Sequence, residues 1–124
     1  MAIGISVKET SGIIVVTAEG DLTAEDVRDG LVGVWERPEF ATHARVLWDL
    51  RNANAADLPS GDLRSIAAFE SKERPEHPRA RLAFVVQRDV EFGLARMVGV
   101  FSEDPHIDQS VFRDRDEAER WLTK

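Results

Sequence analysis

The chain has 124 residues, 43% of them hydrophobic, no cysteine, and a formal charge of −7. Its length and apolar content suit one globular domain over residues 1–124, while the surplus of acids argues against nucleic acid or an anionic membrane surface as partner, since both require clustered Lys and Arg. Without cysteine there is no disulfide, thiolate nucleophile or Cys-held metal; the opening MAIGISVKE has no basic, apolar leader and no run reaches the ~20 apolar residues of a membrane span, so a cytoplasmic protein without a transmembrane segment is expected.

Ile3, Ile5 and Val7 alternate with Gly4, Ser6 and Lys8, the period of a strand with one wet face. A turn over Glu9 to Gly12 leads to the continuous apolar run Ile13 to Ala18, which suits a more central strand paired with the first as a hairpin and ended by Gly20. Thr23 with Asp26 three residues on reads as a capping box, and Val27, Leu31 and Val34 follow at helical spacing, predicting a helix from Ala24 to Glu36 that Pro38 stops. Gly30 and Gly33 lie inside it; close packing on the sheet explains them more simply than the approach of a ligand.

Arg45 to Gly61 organises the rest of the chain. Val46 to Leu50 is a short apolar run carrying one acid, Asp49, as a strand covered on both faces reads when it delivers a carboxylate near its end. Asn52, Asn54 and Asp57 then predict a turn-rich loop, and Pro59 and Ser60 predict the start of a second helix bearing Leu63, Ile66, Ala67 and Phe69 or Glu70. Leu82 to Val86 is another uninterrupted apolar run and the expected middle of the sheet. Asp89 opens a third helix whose Val90, Phe92, Leu94, Met97, Val98, Val100 and Phe101 cover more than one face. A short edge strand at Ser110 to Phe112 and a last helix, capped by Asp114 and Glu117 with Ala118, Trp121 and Leu122 inward, complete the chain. The expected fold is α/β, a five-stranded mostly parallel sheet with an antiparallel edge hairpin and four flanking helices in the order β β α β α β α β α.

This order of elements, with Gly20, Leu22 and Thr23 in GDLTAED, the strand VLWDL with Asp49, and the closing VFRDRDEAERWL, resembles the STAS superfamily and within it the SpoIIAA-like branch. The resemblance implies a small binding or regulatory domain. Antagonists of this class carry a phosphorylatable Ser or Thr in an Asp-Ser-(Ser)-Gly loop at the second helix; here Asp57 stands at about that place but is followed by Leu58 and Pro59, and the nearest Ser-Gly is Ser60-Gly61. Asp57 and Asp62 would also repel a phosphate on Ser60. The similarity of the branch to lipid-carrier folds implies an apolar ligand.

Catalytic chemistry finds little support in the sequence. His43, His77 and His106 have no helical partner of the zinc-protease kind, and Asp104, His106 and Asp108 read as an acidic loop before they read as a metal site. There is no G-x-S-x-G elbow and no phosphate-cradling glycine loop. No cofactor and no enzyme activity is therefore expected. Asp49 either orients a ligand or, more simply, accepts hydrogen bonds from loop amides after Leu50. The first reading is a module that binds an apolar small molecule or lipid between helices two and three, with Asp49, Ile66, Phe69, Phe92, Met97 and Phe101 as the ligand-binding residues. The second is a protein-interaction switch through Asp57, Ser60 and Gly61, with a protein partner and a kinase. A small hydrolase is the third, and the apolar excess of helix three leaves a homodimer open.

Overall fold

The computed structural model describes residues 2–42, 44–55, 58, 60–73, 79–89, 91–93, 96 and 107–124. The elements are β1 (Ala2–Lys8), β2 (Ile13–Asp21), α1 (Ala24–Trp35), α2 (Pro38–Thr42), β3 (Arg45–Asn54), α3 (Ser60–Glu73), β4 (Ala80–Val85), β5 (Ile107–Phe112) and α4 (Arg115–Leu122). Residues 89, 91–93 and 96, between β4 and β5, are also helical. The sheet runs β1-β2-β3-β4-β5, antiparallel between β1 and β2 and parallel across the other pairs, so the expected mixed five-stranded α/β fold stands.

Strand order equals chain order, and this fixes where the helices lie. Crossovers of one hand between parallel strands that always step in the same direction deposit their helices on one face of the sheet. Accordingly Ile14, Val16, Val46, Trp48 and Leu82 on one face form a single core with Leu31 and Val34 of α1 and Ile66 of α3. The alternate residues Ile13, Val15, Leu47, Ala83 and Val85 face the other way and are covered by Ala118 and Leu122 of α4. Burial on both faces is why these strands read as unbroken apolar runs.

The predicted capping box is present: the Thr23 hydroxyl accepts from the Asp26 amide at 3.1 Å and the Asp26 carboxylate accepts from the Thr23 amide at 3.2 Å. Gly12 turns the hairpin at φ 74°, its amide donating to the Lys8 carbonyl at 2.8 Å. The reason for Gly30 and Gly33 is close packing, since a Cβ on Gly30 would stand 2.8 Å from Trp48 Cη2 and one on Gly33 2.4 Å from Ile5 Cδ1.

Five expectations are corrected. The middle strand is β3, with β4 beside the edge strand β5, because apolar faces report burial and not neighbours. Gly20 does not end β2: at φ 81°, just beyond a register shift between Thr17 and Glu19, it lets the strand run on to Asp21. Arg51 to Asn54 are strand and not loop, paired from Asn52 to Asn54 with Glu19, Gly20 and Asp21, with Ala53 buried and the Asn54 amide donating to Asp21 Oδ1 at 2.9 Å. Pro38 stops α1 but also opens the short helix α2, where a proline costs no hydrogen bond. Edge strand β5 starts earlier than expected, at Ile107, and Asp114 caps α4 through the Asp116 amide at 3.0 Å. Among the described residues no helix is long and apolar enough to cross a membrane.

Candidate functional site

On the face carrying α1 and α3, the side chains leave a cavity of about 70 Å³ near the carboxyl ends of β3 and β4. Trp48 and Leu50 reach it from β3 and Phe84 from β4, because alternate residues of these strands point to this face. Leu63, Ile66 and Glu70 reach it from α3, where a spacing of three and four residues sets them on one stripe. Val27 and Leu31 close it from α1, and Leu22, Ala55 and Leu58 close it beside the strand ends.

Two carboxylates complete the wall. Glu70 is 4% exposed and Glu91 3% exposed, unusual burial for an acid. Glu91 is held by Arg88, whose Nε donates to Oε1 at 2.5 Å and Nη2 to Oε2 at 2.9 Å. The same Nη2 donates to Asn54 Oδ1 at 2.8 Å, so a chain of polar contacts runs from Glu91 in the cavity wall through Arg88 and Asn54 to Asp21 at the carboxyl end of β2. The hydrogen bond to Glu91 raises the Arg88 pKa, keeping the guanidinium charged. Glu70 also lines a second space of about 10 Å³ with Trp35, Phe40 and Trp48.

The opposite face carries a different arrangement. Asp49, 7% exposed, receives Arg51 as a fork, Nε to Oδ1 at 2.9 Å and Nη2 to Oδ2 at 2.7 Å, while Arg115 Nη1 of α4 lies 3.4 Å from Oδ2. Arg115 Nε also donates to Glu119 at 3.1 Å, and Lys8 pairs with Glu119. The hydrogen-bonded Arg51 side chain holds the Asp49 carboxyl below the usual aspartate range; burial opposes this, and the Arg51 amide and the charges of Arg51 and Arg115 add to it. Glu119 is lowered first by Lys8, with burial again opposing and Arg115 assisting. These contacts pin α4 and the end of β1 to the central strand.

The structure therefore divides the residues expected to bind a ligand. Ile66 lines the cavity. Phe69 is stacked on Trp35 with ring centroids 5.6 Å apart, joining α3 to α1 outside the lining. Phe92 packs against the same core with the Arg113 guanidinium 5.1 Å above its ring. Asp49 is across the sheet, and of the expected loop amides it accepts the Arg51 N–H at 3.3 Å, beside the two guanidinium groups. Met97, Phe101, Asp57, His43, His77 and His106 lie outside the described residues, while Ser60 and Gly61 form the first residues of α3. Reading the sequence missed Glu70 and Glu91. The signals were an acid four residues after Ile66 on the inward stripe of α3, and an acid set between Val90 and Phe92 in an otherwise apolar stretch.

A family model described as SpoIIAA-like matches residues 13–123. Among solved structures the chain is similar to an uncharacterized protein of the DUF3478 family, with a SpoIIAA-like fold, from Shewanella loihica PV-4: 22% identity, 98% of this chain and 92% of that one covered, TM-score 0.59. Comparison with curated proteins gives no match.

Proposed function

The chain belongs to the SpoIIAA-like family, and we propose that it serves as a non-enzymatic, STAS-like binding domain whose cavity takes up an apolar or amphipathic small molecule. The cavity carries this reading: about 70 Å³ lined by Trp48, Leu50, Leu63, Ile66 and Phe84, with two carboxylates as its acidic groups. An apolar wall with few polar groups is how small-molecule sites are built, and a wall of this kind forgoes dispersion contacts until something fills it.

Trp48 in the lining supplies the assay. Titration of the folded protein with 1-hexanol or a lysolipid is expected to change tryptophan fluorescence saturably. Ala55→Leu, which carries a larger side chain into the lining, is expected to weaken that response about tenfold while leaving the melting transition in place. A response that stays linear in ligand, or one unaffected by Ala55→Leu, would sink the reading.

One observation favours a protein-interaction role at the same place. Ala55 and Leu58, from the segment leading to Ser60, line the cavity, and Leu63 stands in the first turn of α3. Occupancy would thus bear on the surface that a STAS-type partner reads around Ser60. Phosphopeptide mass spectrometry of the protein from its host tests that alternative, with high phosphate occupancy at Ser60 the outcome in its favour.

A further inference from the structure

We infer that the molecule taken into this cavity is a single unbranched alkyl chain, whose methyl end passes between Leu31 and Trp48 into the second, smaller space beside Phe40. The inference rests on the binding role proposed above and adds the shape of the ligand and the depth to which it enters. Three observations carry it.

First, the two spaces adjoin and follow one another along the strands. Among the described residues Leu31, Trp48 and Glu70 wall both of them. On β4, Phe84 borders the first space, whereas Ala80 and Leu82, the residues before it on the same face, border the second. On α1 the order is the same: Val27 reaches the first space, Leu31 both and Val34 the second, at the spacing of one helical stripe. The path from Phe84 back to Ala80 is about 13 Å long at the rise of an extended strand.

Second, the path is narrow and tapers inward. An apolar cavity that holds benzene measures about 150 Å³, against about 70 Å³ for the first space and about 10 Å³ for the second. A six-membered ring overfills the first and cannot enter the second, while a linear chain presents one methylene at a time to the narrow end. Val27 and Leu58 of the first space are only partly buried, whereas Val34, Phe40, Ala80 and Leu82 close the second and are buried. The chain therefore enters through the first space with its polar head left at the mouth.

Third, the partition has a rigid member and a movable one. A Cβ on Gly30 would stand 2.8 Å from Trp48 Cη2, so the backbone of α1 presses on the indole and holds it in place. Leu31 is the next residue, and its aliphatic side chain can exchange between staggered rotamers to open the way beside the ring. A terminal methyl in the second space gains the dispersion contacts that its walls otherwise lack.

The test is a series of 1-alkanols from 1-butanol upward, each titrated into the wild-type protein. Tryptophan fluorescence is the readout, because Trp48 lines both spaces and Trp35 the second. Affinity is expected to rise about fourfold with each added methylene until the chain end meets the far wall, and then to level off. Ala80→Leu and Ile107→Phe enlarge side chains that line the second space alone. Each variant, first shown to melt cooperatively, is expected to bring the levelling to a shorter chain and to leave 1-butanol binding unchanged. Cyclooctanol is expected to bind the wild-type protein about tenfold or more weakly than 1-octanol. If the alcohols saturate but the levelling point is unmoved in both variants, or short and long chains are weakened alike, the inference is overturned and the apolar site stands. Cyclooctanol binding as tightly as 1-octanol overturns it in the same way, without recourse to a variant. If no alcohol saturates, the binding role falls together with the inference.

Discussion

The two faces of the sheet each bury an acid under an arginine fork, but in different surroundings. Under α4, Asp49 is met by a fork from Arg51 on its own strand and by Arg115 from the helix above, within a layer packed by Leu47, Val85, Ala118 and Leu122. Under α1 and α3, Glu91 receives its fork from Arg88, and it and Glu70 line a cavity walled by aromatic and aliphatic side chains. A buried charge is therefore not by itself a mark of a site. Asp49 fastens a helix to a strand, and what distinguishes Glu70 and Glu91 is room for another molecule next to them.

Stability measurements can break this contrast. Leu47 and Leu63 are both buried leucines, one packed beneath α4 and one bordering the cavity. Leu47→Ala is expected to cost about 4 kcal/mol and Leu63→Ala about 3 kcal/mol, since a side chain that already faces a void has fewer contacts to lose. Equal costs from chemical denaturation would mean that the two faces are equally well packed.

Asp49→Ala is expected next, at about 2 kcal/mol, because it strands two guanidinium groups that remain partly open to water. The same residue gives the face its pH dependence. A carboxyl whose folded pKa lies below its unfolded one stabilises the protein above the unfolded pKa, and that contribution is lost as pH falls through the folded value. Asp49 and Glu119 are both lowered, so the melting temperature should hold above about pH 5 and decline as the pH drops below about 4. Asp49→Ala should flatten that decline, and an unchanged acid profile would remove Asp49 as its cause.

Smaller effects are expected in α1. Gly30→Ala would press a methyl group against the indole of Trp48, a rigid ring that lines the cavity, and should cost about 1 kcal/mol net after the gain in helix propensity. It should also shift tryptophan emission. Gly33→Ala meets only the terminal methyl of Ile5, which can rotate away, and should be nearly neutral in a thermal melt.

Which of these features were legible in the sequence follows from how local their causes are. Thr23 and Asp26 satisfy each other within one turn, so the start of α1 could be read directly. The double-faced runs Val46 to Leu50 and Leu82 to Val86 announced buried strands, but the run without an acid is not the central one, and the crossovers decide which is. Asn52 and Asn54 are turn formers by habit, yet here Asn54 gives its side chain to Asp21, 33 residues away, and the strand continues. Glu70 stood as an alternative to Phe69 on the stripe of α3 and Glu91 inside an apolar stretch, yet neither could be assigned to a cavity wall because an acid's burial depends on what other elements bring against it. Asp49 was recognisable as an acid at a strand end, whereas the sheet face it occupies relative to Ile66 depended on register.

The unbroken succession β1-β2-β3-β4-β5 has a meaning for how the chain assembles. Every strand docks on the one made just before it, so no segment waits for a distant partner still to be synthesised. The hairpin closes across residues 9–12, an event of about 1 to 10 μs, and each later strand then needs a single crossover to find a ready template. Loop-closure entropy is met in small instalments, and a chain emerging from its amino end can add layers in the order in which they leave the ribosome. The last strand to pair is β5, which also ends up at the margin of the sheet, where incomplete pairing harms the core least.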